Sequence, residues 1–217
     1  MGHIKKSKMP RTWPVRKKGD RFIAIPSHAR TKGISLLFII RDMLKLARTR
    51  KEVRFMTLNE MVMVNHQIRK DENFPVQILD TITLKESGKN YRLEIVNKKF
   101  SLKEISQEDS KTKIVKISGK KILKNGLIQM NLDDGRNILT KESFSVGDSA
   151  IINTQEGNIE KILSLKEGSS VEIILGKHAG EKGKLTGFEK LQRGKAYIIK
   201  LKDKEVVLPF KTILVIK

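Results

Sequence analysis

The sequence predicts a multi-domain α+β chain: a basic extended N-terminal arm at residues 1–33, a small α+β domain at 34–108, an all-β central domain at 109–168 and a small β-barrel at 169–217. Three observations predict it. Apolar residues recur at helical spacing over residues 34–48 and again at Val53 and Met56; short β-branched segments separated by turn signals fill the chain beyond residue 108. The third is the charge of +21, which is segregated along the chain. It amounts to +9 over residues 1–40, +5 over 41–70, −1 over 71–108, +2 over 109–168 and +6 over 169–217. Solubility alone asks for a net charge of about 2 to 8 with signs interspersed, so the separate basic blocks imply several surfaces for one polyanion, and a phosphate backbone fits best. An anionic membrane surface fits less well, because the basic segments lack an amphipathic helix with Trp or Phe on its apolar face.

The same composition excludes other classes. With 217 residues, 38% of them hydrophobic, the chain has material for two or three small cores. Its longest apolar run, LLFII, falls far short of the roughly 20 residues of a membrane span. A cytoplasmic address follows as the expectation. The absence of cysteine rules out a disulfide framework, a thiolate zinc site and a cysteine nucleophile.

In the arm, Pro10, Pro14 and Pro26 break any helix. Lys5, Lys6, Lys8, Arg11, Arg16, Lys17, Lys18 and Arg21 surround Trp13, an aromatic placed to stack on a base or sugar. This composition predicts a disordered basic segment that orders on its partner.

In the α+β domain, Leu36, Ile40, Met43 and Ala47 recur at steps of four, three and four, which predicts an amphipathic helix over 34–48 exposing Arg41, Lys45 and Arg48. A second helix starts at Thr49, where TRKE is a capping box: the Thr49 hydroxyl and the Glu52 carboxylate each accept a backbone N–H. Three of its first five residues, Arg50, Lys51 and Arg54, are cations where the helix dipole favours acids. A helix N-terminus beside cations is a phosphate site, so these three point to an external anion. MVMVNHQI then reads as strand, turn and strand, and PVQILDTITL as one further strand.

The central domain is a predicted meander of TKIVKIS, KKILK, LIQMNL, RNILT, SAIIN and IEKILSL, punctuated by Asn125-Gly126, Asp134-Gly135, Gly147-Asp148 and Glu156-Gly157. The last unit gives four or five strands, enough for a small barrel. Its segment GKHAGEKGK carries Lys177, His178, Lys182 and Lys184 among Gly176, Gly180 and Gly183, which let the backbone turn sharply. A nucleotide P-loop needs a hydroxyl after its Gly-Lys; here Leu185 follows Lys184.

The stretch 36–84 resembles the S-four RNA-binding domain through LARTRKE at 46–52, V-x-V-N at 62–65 and FPVQILDTI at 74–82. The resemblance implies that the second helix and the following turn, with Asn65 and His66, grip structured RNA. Glu60 and His66 stand where that family usually has glycine; Asn59 and Asn65 are the neighbours best able to take positive φ. VEIILGKHAGEKGKLTG resembles a KOW motif, which implies an SH3-like barrel. Arm, S-four domain, the central LDDGRNIL and the KOW unit together resemble the small-subunit ribosomal protein S-four-e family of archaea and eukaryotes over nearly the whole chain. That resemblance implies a structural component of the cytoplasmic small ribosomal subunit, with ribosomal RNA and neighbouring ribosomal proteins as partners, and no membrane or small-molecule substrate. A free RNA-binding factor is the alternative.

No enzyme, cofactor or metal site is expected. His3, His28, His66 and His178 lie far apart without ligand spacing, and Asp133 and Asp134 precede a glycine in a hairpin turn, a structural position. RNA-modifying enzymes can carry an S-four domain, but they add a catalytic domain that no segment here resembles.

Overall fold

In the computed structural model, which describes residues 2–16, 18–19, 21–30, 32–191, 194–201 and 204–216, the chain divides into two units, Met1–Lys111 and Thr112–Lys217. Lys17 of the arm lies outside the described residues.

In the first unit the arm folds back. β1 (His3–Lys5) pairs antiparallel with β2 (Phe22–Ala24), matching Lys5 with Phe22. The Phe100 N–H donates to the Thr12 carbonyl at 2.8 Å, and Met9, Trp13, Ile23 and Ile25 are buried. The expectation of an arm without packing of its own is therefore corrected: its few apolar residues are spent on the neighbouring core.

β3 (Gly33–Ser35) leads into α1 (Leu36–Phe38), which continues as a single π-helical turn over Ile39–Met43, its Leu44 N–H reaching the Ile39 carbonyl at 2.9 Å. This helical stretch is shorter than expected. Leu36 to Ile40 are all buried, so its first five residues are apolar all round, and polar residues begin only at Arg41 and Asp42. It ends where Lys45 enters the left-handed region at φ 56° and the Leu46 N–H returns to the Ile40 carbonyl at 3.0 Å.

α2 (Arg50–Leu58) starts where the capping box places it. The Glu52 N–H donates to Thr49 Oγ1 at 3.3 Å, and Glu52 Oε2 accepts the N–H groups of Arg48 at 2.8 Å and Thr49 at 3.5 Å. The Arg48 N–H first, then the Thr49 hydroxyl, hold the Glu52 carboxyl below its ordinary range. Thr49→Ala is expected to cost about 1 kcal/mol of stability, read as a lower urea midpoint.

Beyond α2 the chain forms β4 (Val62–Val64), β5 (Gln67–Ile68), β6 (Pro75–Gln77), β7 (Thr81–Leu84), β8 (Asn90–Val96) and β9 (Lys99–Ile105), then α3 (Gln107–Ser110). The main sheet runs β5-β4-β7-β8-β9, and β3 pairs with β6. PVQILDTITL is two strands, not one: Leu79 turns left-handed at φ 63°, and the Gln77 N–H donates to Asp80 Oδ2 at 2.6 Å.

The second unit holds two five-stranded antiparallel sheets. The first is built from β10 (Thr112–Ile122), β11 (Ile128–Leu132), β12 (Asn137–Thr140), β13 (Ser149–Asn153) and β14 (Ile159–Leu163), in the order β12-β11-β10-β13-β14. TKIVKIS and the start of KKILK are one strand: β10 pairs with β13 up to Lys116 and with β11 from Ile117, with a bulge between Ile117 and Gly119. Its core is Val115, Ile117, Met130, Leu132, Phe144, Ala150 and Ile152.

The other sheet is β18-β17-β16-β15-β19, from β15 (Ser170–Ile173), β16 (Lys182–Leu191), β17 (Gly194–Lys200), β18 (Glu205–Pro209) and β19 (Ile213–Val215). Val171, Ile173, Leu185, Tyr197 and Ile199 lead its core. Lys116 ties the two sheets. Its ammonium donates to the carbonyls of Phe210 and, at 2.9 Å, Ile213, and stands 3.8 Å from the Phe210 ring centre; burial pushes its pKa down to about 8.

Candidate nucleic-acid interface

On the first unit, α2 and the loop before it present the expected cations, but not all in the same state. Lys45, Arg48, Lys51 and Arg54 are exposed. Among the described residues no ion pair ties Lys45, Lys51 or Arg54 to an acid. Helical spacing sets Lys51, Arg54, Phe55 and Leu58 on one face, and Phe55 is 62% exposed. Two further cations are already ion-paired within the fold. Arg50 is ion-paired to the buried Glu72, its Nε 2.7 Å from Glu72 Oε1, and Arg41 grips Asp42 with Nη2 at 2.9 Å. Both charges already have an internal acid.

The turns on either side of β4 show how the chain manages without glycine. Glu60 and His66 themselves take φ of 59° and 58°, and Asn65 takes 51°; Asn59, expected to help, stays right-handed at φ −81°. The Asn65 amide is engaged within the fold: Nδ2 donates to Asp80 Oδ1 at 2.7 Å and Oδ1 accepts the Thr81 N–H at 3.0 Å. The side chain expected to meet RNA is thus already engaged by Asp80 and Thr81. His66 Nε2 lies 3.5 Å from Ser110 Oγ, and burial, then Lys111, push its pKa below the ordinary imidazole value.

In the arm, Lys5, Lys8, Arg11, Arg16, Lys18 and Arg21 are exposed and Lys6 half-buried. The expectation that Trp13 meets a base is overturned. It is 1% exposed and packs 5.7 Å from Phe38, ring centre to ring centre. The exposed aromatic is Phe22, which sequence reasoning misses: it is 48% exposed, His3 stands edge-on at 4.9 Å and the Arg21 guanidinium lies 5.5 Å over its ring. Alternation in FIAI, with buried Ile23 and Ile25, is the signal for which side faces out. Phe22 also lines a cleft of about 290 Å³ with Lys6, Phe38, Arg41, Asp42 and Arg50.

On the second unit, the loop from β15 to β16 carries the third basic set. Gly176 and Gly180 turn it at φ 96° and 89°. Gly183 serves differently: its φ is ordinary, but a Cβ there would stand 2.6 Å from the Lys200 carbonyl oxygen, so it permits close strand pairing. Lys177, Lys182 and Lys184 are exposed, the last two on one side of β16. His178 Nδ1 lies 3.1 Å from Glu181 Oε1.

No three side chains of His, Asp or Glu converge to hold a metal among the described residues, and no helix is long and apolar enough to cross a membrane.

Known proteins share this sequence and this fold. The model of the ribosomal family S4e matches residues 87–159. The small ribosomal subunit protein eS4 of Methanosphaera stadtmanae is 34% identical over 207 residues, 94% of this chain and 86% of that protein. Its counterpart in Korarchaeum cryptofilum is 37% identical over 190 residues, 85% and 81% of the two chains. The crystal structure of the 30S ribosomal protein S4e from Thermoplasma acidophilum superposes with a TM-score of 0.73 at 24% identity, over 85% of this chain and 95% of that one.

Proposed function

The chain belongs to the ribosomal S4e family, and from that premise we propose that it is a structural, RNA-binding constituent of the small ribosomal subunit in the cytoplasm. The observation that carries this is likeness to small-subunit proteins across almost the whole chain rather than across one RNA-binding module. Ribosomal RNA and neighbouring ribosomal proteins are its partners in this reading, which assigns no catalytic residue and no small-molecule substrate.

We read residues 34–108 as an S-four-type RNA-binding domain and the C-terminal sheet as an SH3-like barrel with a KOW loop. The exposed cations of the arm, of α2 and of the β15–β16 loop supply phosphate contacts. Selectivity comes from RNA shape and unpaired nucleotides. If so, the protein co-sediments with small subunits at about one copy each; a predominantly free pool would refute the ribosomal reading.

The contribution of α2 is tested separately. Lys51→Ala with Arg54→Ala is expected to flatten the dependence of log affinity on log salt by about 0.7 to 0.9 for each phosphate that the variant no longer neutralises. Arg50 stays in place, because its removal would strip the buried Glu72 of its ion pair. A folded double variant with the parent slope would remove α2 from the interface.

A further inference from the structure

We infer that the cleft between the N-terminal hairpin and the first helical stretch holds one unpaired nucleotide of a single-stranded or bulged RNA, its base against Phe22 and its phosphate beside Lys6, Arg41 and Arg50. This deepens the RNA-binding reading and rests on it.

Three independent features meet there. The first is an exposed aromatic ring. Phe22 stands on the outward side of β2, across from Lys5, while its neighbour Ile23 is buried. Every base has a π-face, so an exposed ring among cations is the arrangement that single-strand binders use without reading sequence. Arg21 above the ring and His3 at its edge extend the platform.

The second is size. At about 290 Å³ the cleft lies at the lower end of ligand sites, which run from roughly 300 to 1,000 Å³. A flat base and its sugar suit such a space. A paired base does not reach it without leaving its stack, so the cleft selects unpaired RNA.

The third is charge. Lys6, Arg41 and Arg50 line the cleft against Asp42. Asp42 is bonded to Arg41, and Glu72 holds Arg50, so both guanidinium groups are fixed in position before any ligand arrives. The ion pairs that reduce net attraction thereby orient the donors, and Lys6 supplies charge not drawn into either pair.

The test uses the full chain and two probes: an oligoribonucleotide containing 2-aminopurine, and the fully paired duplex of the same length. Phe22→Leu keeps an apolar strand residue and removes the ring. It is expected to weaken single-strand binding by about 5- to 150-fold, to abolish the change in 2-aminopurine emission that accompanies binding, and to leave duplex affinity within about twofold. Phe22→Trp restores the single-strand affinity. Unchanged binding of both probes, or equal loss of both, overturns the inference while the RNA-binding reading stands. If the parent chain binds neither probe, that reading falls and the inference with it.

Discussion

Replacing Asp134 by alanine is expected to destabilise the C-terminal unit by about 3–5 kcal/mol. The carboxylate sits in the turn joining β11 to β12. It lies 3.3 Å from Lys113 Nζ and 2.7 Å from Arg136 Nη2, and it accepts the Arg136 Nε–H at 2.9 Å. Lys113 is 3% exposed, so its ammonium cannot turn to water when the acid is removed. For a unit of this size the loss lowers the midpoint of thermal unfolding by at least about 10 °C. Removing Lys113 and Asp134 together should cost far less than removing Asp134 alone, because the one charge left without the acid, Arg136, is 35% exposed and reaches water. Lys113→Met with Asp134→Leu is therefore expected to recover most of the stability. A single Asp134→Ala variant within about 1 kcal/mol of the parent would overturn the argument.

The same site fixes a pH dependence. Burial alone pushes the Asp134 carboxyl up, but Lys113 and Arg136 outweigh it and hold the pKa below its ordinary 3.8. The unfolded chain then binds a proton at a higher pH than the folded one. The stabilisation is complete above the unfolded value and is lost as pH falls through the folded one. Acid unfolding of Asp134→Asn should lack that component.

What was legible in the sequence follows the range of the interactions involved. The start of α2 is fixed by Thr49 and Glu52, three residues apart, and the sequence shows it directly. The hairpin at Asp134-Gly135 is legible for the same reason: a turn residue beside a glycine needs no distant partner. Lys45, Glu60, His66 and Leu79 are different. Each takes a left-handed conformation that its side chain disfavours, and only the surrounding packing holds it there. The state of Arg50 was hidden because Glu72 lies 22 positions away. A cation count shows where positive charge is concentrated along the chain, but not which cations an acid already holds in place, as Asp42 holds Arg41 and Glu72 holds Arg50.

Trp13 tests how far the arm belongs to the core. Trp13→Ala is expected to cost about 3–5 kcal/mol, the usual loss on emptying a buried aromatic site. It would also free the segment whose Thr12 carbonyl accepts the Phe100 N–H. The indole brings one unfavourable contribution: Nε1 is buried without a hydrogen-bond partner among the described residues. Trp13→Phe removes that group and keeps most of the ring, so it should cost much less than the alanine variant and bind RNA as the parent does. If Trp13 stacked on a base instead, the alanine variant would stay stable, and both variants would lose RNA affinity together. Fluorescence reads the difference without a label, because Trp13 is the only tryptophan. Its emission should be that of a buried indole, unchanged when RNA is added and shifted to the red as the N-terminal unit unfolds. Quenching of that emission by RNA in the folded protein would return Trp13 to the interface and remove it from the core.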